Sequence, residues 1–121
     1  MNFVFDNNTP IYNQLVEQLK ISIISGELNA GERLASVREL ALNLKVNPNT
    51  LLKALSELED MGLIYTVRTN GKFVTTNQDL IEKLRVEYAI ELSKKYISGM
   101  ESIGFSFQDT FKYLNDLGGD N

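Results

Sequence analysis

Two helix-start signals stand at positions 36 and 47, so close together that they dictate a pair of helices, the first of them short, joined by a tight turn. Ser36-Val-Arg-Glu39 has the Ser-x-x-Glu form of a capping box, in which hydroxyl and carboxylate each satisfy a backbone N–H at the helix start. Val37, Leu40, Ala41 and Leu44 give that first helix one buried face. After a turn through Lys45-Val46, Asn47 caps the second helix, with Pro48 at a position where no N–H is needed. Its pattern continues to Met61, and Gly62 stops it.

The flanks extend the pattern. Thr9-Pro10 reads as an N-cap followed by proline at the first helical position, and Ile11, Leu15, Leu19 and Ile23 then form one apolar stripe. Gly26 ends that helix, a loop runs to Gly31, and Glu32-Arg33-Leu34 is a candidate short strand. On the other side, 63–68 and 72–76 are rich in β-branched and aromatic residues. Between them Thr69-Asn70-Gly71 holds an Asn-Gly pair, the signature of a type I′ hairpin turn. Helix, short helix, turn, helix, hairpin is the order of a winged helix-turn-helix. Helical patterning then returns from Asp79 to Ser98, breaks over Gly99–Gly104, and resumes from Ser106-Phe-Gln-Asp109 until Gly118-Gly119. The expected fold is mainly α with a small β-hairpin (α+β). Residues 1–76 form the winged helix-turn-helix and 77–121 a two-helix dimerisation region.

Composition narrows the chemistry. With no cysteine the chain has neither disulfides nor thiolate metal sites, and a cytoplasmic setting is expected. Without histidine it lacks the commonest general acid/base and the commonest metal ligand. No catalytic residue, metal or cofactor is expected, and no apolar run is long enough for a membrane span. Nor is a secretory signal visible at the N-terminus. The net charge of −4 looks wrong for a nucleic-acid binder until it is divided along the chain. Residues 33–72 carry six bases against four acids, and the rest six against twelve. A basic middle lies between acidic ends.

The helix opened by Asn47 is the candidate reader. At 100° per residue from Asn49, the residues Asn49, Thr50, Lys53 and Glu57 fall between about 0° and 100°, and Leu51, Ala54, Leu55 and Leu58 between about 140° and 240°. One face is a core seam and the other is polar where a recognition helix meets base edges. Asparagine can pair bidentately with adenine, and Lys53 can reach guanine or phosphate. The free N–H groups near Asn47 would favour a phosphate. The same face also suits an ordinary well-capped surface helix. Arg38, in the first turn of the preceding helix, can reach a phosphate or a guanine edge, or simply sit in solvent. At the hairpin, Arg68, Asn70 and Lys72 fit a solvated turn as well as a DNA contact.

The blocks Pro10-Ile-Tyr-Asn-Gln-Leu15, Gly31-Glu-Arg-Leu-Ala-Ser-Val-Arg-Glu-Leu-Ala41, Val46-Asn-Pro-Asn-Thr50, Ala54-Leu-Ser-Glu-Leu-Glu59, Gly62-Leu-Ile64 and Gly71-Lys-Phe-Val74 resemble the GntR family of bacterial transcription regulators. The resemblance implies operator contacts by Arg38, Asn49 and Thr50, with Gly71 at a wing tip that enters the minor groove. With the basic middle, the candidate DNA contacts are Arg33, Ser36, Arg38, Asn47, Asn49, Thr50, Lys53, Arg68, Asn70, Gly71 and Lys72. The segment beyond Thr76 is too short for the large effector domains of the family, so the chain is most similar to the YtrA-like branch. That similarity implies pairing of C-terminal helices and repression of a neighbouring transporter operon. Three positions depart from the family pattern: Ala35 where proline is common, Leu52 where several branches have arginine, and Thr69 in place of a wing glycine. Leu52 could meet a thymine methyl instead.

The C-terminal stripe comprises Leu80, Leu84, Tyr88, Leu92 and Tyr96, then Phe107, Phe111, Leu114 and Leu117. A two-helix hairpin this apolar cannot bury itself alone. All of these except Leu117 are expected in a homodimer seam, which would place two readers on a palindrome about 34 Å apart. Packing back on Ile11, Leu15 and Leu19, or a small-molecule effector pocket among Tyr88, Tyr96, Phe107 and Phe111, are the alternatives. Double-stranded DNA and a second copy are the expected partners. A protein-interaction module, suggested by the acidic balance, is the rival function, and an enzyme a more distant one.

Overall fold

Helix α1 (Ile11–Ile24) turns its stripe inward, with Leu15 and Leu19 fully buried and Ile23 nearly so. Ile11, at the head of the same stripe, stays exposed. Against α1 packs α3 (Pro48–Asp60), whose Leu51, Ala54, Leu55 and Leu58 are the seam read from the sequence. Helix α2 (Val37–Leu44) adds Leu40, Ala41 and Leu44 to the same core. Burying one such leucine contributes about 1.5–3 kcal/mol, enough for this cluster to fix the three-helix arrangement. The computed structural model describes residues 1–119.

Strands β1 (Ile64–Val67) and β2 (Gly71–Val74) form an antiparallel hairpin in which Ile64 faces Val74 and Val67 faces Gly71. Both Ile64 and Val74 are buried in the core, which sets the register. The expected short strand at 32–34 is reduced to a single bridge between Arg33 and Phe73, with Leu34 N–H donating to Lys72 O at 2.8 Å. The winged helix-turn-helix expected from the sequence is therefore the fold of this part of the chain.

Helix α4 (Gln78–Ser102) and helix α5 (Phe107–Gly118) complete the chain. It divides into two compact units, Met1–Leu84 and the part from Arg85 onward, a division inside α4 rather than at 76/77. The physical reason lies in the first turns of α4, where Leu80, Ile81 and Leu84 pack half-buried against the winged-helix core. Leu80 and Leu84, expected in a dimer seam, thus have partners in their own chain. Within the second unit, the Tyr96 hydroxyl donates to Thr110 O at 3.0 Å, and Thr110 alone is buried among the described residues. Leu92, Phe107, Phe111 and Leu114 border an open apolar groove of about 460 Å³ between the two helices. No helix among the described residues is long and apolar enough to cross a membrane.

Three local expectations need correction. Helix α1 starts one residue later than expected, because Pro10 is its cap: the Pro10 carbonyl takes the first helical bonds from Asn13 and Gln14. Thr9 makes no cap, and its carbonyl accepts from the Gln14 amide instead. Gly99 does not break α4. The helix tolerates it at a cost of about 1 kcal/mol and runs on to Ser102, closed just beyond by Gly104, whose φ of +97° permits a Schellman closure through Phe105 N to Met100 O. The hairpin turn, finally, spans Val67–Asn70 with Thr69 at φ +73° and a 2.9 Å bond from Asn70 N to Val67 O. It is not a type I′ turn centred on Asn70-Gly71.

The cap of α5 matches its sequence signal. Ser106 Oγ accepts from Asp109 N–H, and the Asp109 carboxylate accepts from both the backbone N–H and the hydroxyl of Ser106. That backbone donor, then the hydroxyl, hold the Asp109 carboxyl below its usual range.

Candidate nucleic-acid interface

The turn between α2 and α3 is built by three local devices. Ser36 Oγ accepts from Glu39 N–H at 3.1 Å to start α2. Lys45 takes a left-handed φ of 58° to end it, and Asn47 Oδ1 accepts from Asn49 N–H at 2.8 Å to start α3. Two of the expected DNA contacts, Ser36 and Asn47, therefore use a side-chain oxygen as a helix cap. Each cap fixes the start of the helix that carries it.

Arg38, Asn49 and Lys53 are exposed and Thr50 is half-exposed, all on α2 or the first turns of α3. Among the described residues the side chains of Arg38, Asn49 and Thr50 make no hydrogen bond or ion pair, so their recognition groups are free. Lys53 is held differently: its Nζ lies 4.6 Å from the centre of the Tyr12 ring, a cation–π contact across to α1. The Tyr12 hydroxyl in turn donates to the Glu57 carboxylate. That hydrogen bond, reinforced by partial burial and the nearby negative charge, raises the Tyr12 pKa above 10.0 and keeps the phenol a donor. Sequence alone assigns Tyr12 no role, since nothing local links a residue of α1 to Lys53.

Leu52 lies on the exposed side of α3 and remains 46% accessible. Beside the start of that helix, Arg38, Ala41, Leu42, Val46 and Pro48 border an open recess of about 300 Å³. The floor of this surface is partly apolar, which suits contact with a thymine methyl.

In the hairpin, Arg68, Asn70 and Gly71 are exposed. The Arg33 side chain lies against the wing, 3.4 Å from where a Cβ on Gly71 would stand. Gly71 itself needs its φ of +105°, which an L side chain would strain. Lys72 is not free: its Nζ is 3.0 Å from Thr66 Oγ1 and 3.6 Å from Glu59 Oε1.

Thr69 is the one β-branched residue in the left-handed region among the described residues. Such a conformation costs about 1–2 kcal/mol, part of which glycine would return as unfolded-chain entropy. Thr69→Gly is expected to stabilise the Met1–Leu84 unit by about 0.5–1 kcal/mol. Thermal unfolding reads this directly, and an unchanged or lower midpoint would contradict the assignment of strain.

The sequence matches the family described as "Bacterial regulatory proteins, gntR family" over residues 11–74. It is 31% identical to the transcriptional repressor YtrA of Bacillus subtilis, over 94% of this chain and 88% of the relative. Among solved structures it is similar to a GntR family transcriptional regulator from Listeria monocytogenes, with 39% identity and a TM-score of 0.85 over 93% of this chain and 98% of that one. The AraR DNA-binding domain in complex with operator ORX1 superposes with a TM-score of 0.54 at 27% identity, over 60% of this chain and 93% of that domain.

Proposed function

Because the chain belongs to the gntR family of bacterial regulatory proteins, we propose that it is a homodimeric repressor that reads a palindromic operator. One observation carries the reading: the exposed, unpartnered group of Arg38 in the first turn of α2 and Asn49 and Thr50 at the start of α3, set on the three-helix core. The Met1–Leu84 unit reads the DNA, and the part from Arg85 onward pairs two copies. Arg38, Asn49, Thr50 and Lys53 enter the major groove, while Arg33, Arg68, Asn70 and Gly71 serve the wing. Ser36 and Asn47 aim the reader.

The dimer rests on the second unit. Its apolar groove leaves Leu92 63% and Phe111 53% exposed, which is costly in water and is relieved when a second copy covers it. Tyr88, Tyr96, Phe107 and Leu114 belong to the same seam. YtrA is named a repressor and the AraR domain is seen on an operator, and both support a repressor at its operator here. Control of a transporter operon comes from the YtrA-like resemblance, and a cytoplasmic setting from the lack of cysteine. No small-molecule effector is part of this reading.

Selection of bound sequences from random double-stranded DNA tests it. The expected product is a palindrome with half-site centres about one helical turn, 10–10.5 base pairs, apart, bound less tightly as salt rises. Failure to enrich any sequence at low salt would refute the proposal.

A further inference from the structure

We propose that Lys72, in the wing, is a positioning residue that locks the hairpin to the reader helix through Glu59, rather than a phosphate contact. This rests on the operator-binding reading above and concerns how the wing is held.

Three elements converge on one polar contact. Glu59 is in the last turn of α3, Thr66 on β1 and Lys72 directly opposite it on β2. The Thr66 hydroxyl donates to the Glu59 carboxylate and accepts from Lys72 Nζ at 3.0 Å, while the same Nζ is 3.6 Å from Glu59 Oε1. Each partner fills a site that another offers. The lysine side chain is only 23% exposed, unlike a lysine extended toward a phosphate.

The arrangement has a reason. A two-stranded hairpin twists readily and is marginal without support. Its base is fixed by Ile64 and Val74 in the core, and β2 by backbone bonds with Glu32 and Leu34, but none of these contacts is a polar link from the hairpin to α3. A link from mid-hairpin to the C-terminal end of α3 couples the wing to the helix whose other end reads bases. Exposed ion pairs add little to global stability, so its effect is local, on how the hairpin is oriented and how readily it opens. Charge points the same way. If Lys72 left for a phosphate, the Glu59 carboxylate would lose the cation that it faces.

The test measures affinity over a salt series, using the duplex that the wild-type protein selects from random DNA. The proteins are wild type, Lys72→Met, Glu59→Ala and the double variant, each checked for folding by circular dichroism. Positioning predicts that Lys72→Met weakens binding roughly threefold to tenfold with an unchanged slope of log affinity against log salt. Glu59→Ala should weaken it comparably, and the double variant should be no worse than either single one, since one link is broken in all three. Faster hydrogen exchange at the β1–β2 amides, without DNA, should accompany each loss. A phosphate contact predicts otherwise: Lys72→Met lowers the slope by about 1, and Glu59→Ala tightens binding by releasing the lysine and removing a negative charge. Either result overturns the proposal, as does hairpin exchange that the variants leave unchanged. If the wild type selects and binds no duplex, the operator reading itself fails, and this inference with it.

Discussion

Aspartate at both Leu92 and Phe111 is expected to abolish the proposed dimer and leave the protein monomeric. The two side chains border the same groove and expose most of their apolar surface within one chain. A two-fold seam would present each position twice, so the double variant brings four carboxylates into one apolar interface. An unpaired buried carboxylate costs several kcal/mol even after the surroundings relax, and four exceed what a seam of this size can offset. Neither residue belongs to the winged-helix core, so thermal unfolding of the Met1–Leu84 unit should be unchanged. Leu84 is unsuitable for this purpose, because it packs against that core and its loss would destabilise the reader as well. Operator affinity should fall by about 10²- to 10⁴-fold, since each monomer then holds a single half-site without the benefit of the second. Light scattering checks the mass. A double variant that remains dimeric would place the seam elsewhere.

The features legible in the sequence are those decided within a few residues. The caps at Ser36, Asn47 and Ser106 each need one side chain and one N–H two or three positions on, and all three side chains accept that bond, with the reciprocal carboxylate bond of a capping box recorded at Ser106. The hairpin turn departs from its Asn-Gly signal because its register is set from outside. Ile64 and Val74 meet in the core, Val67 then faces Gly71, and three residues rather than two are left to close the loop. Positive φ consequently falls on Thr69 instead of Asn70. Gly99 departs in the opposite sense, since one glycine weakens a helix without stopping it. The links Tyr12–Lys53 and Glu59–Lys72 join distant parts of the chain, where residue spacing carries no signal. Among the candidate contacts, Lys53 and Lys72 carry such links, whereas Arg38, Asn49 and Thr50 have no side-chain partner among the described residues.

Arg38 stands at the free end of that distinction, and Arg38→Ala is expected to abolish operator recognition without harming the fold. A cation in the first turn of a helix opposes the positive end of the helix dipole, so arginine there contributes nothing to α2. Among the described residues it forms no ion pair, and alanine is the better helix former. Thermal stability should therefore hold or rise slightly. Binding should behave oppositely. One bidentate arginine–guanine pair contributes about 1–3 kcal/mol of discrimination, and a dimer uses it twice, which gives a loss of at least about 30-fold in Kd. Arg38→Lys separates the two kinds of contact that the geometry allows. Lysine keeps the charge but lacks the planar fork, so a phosphate contact would survive it and a guanine contact would not. Titration of the selected duplex, beside one altered at each guanine in turn, reads both. If Arg38→Ala changed affinity by less than about threefold, the reading surface would have to be sought away from the α2–α3 turn.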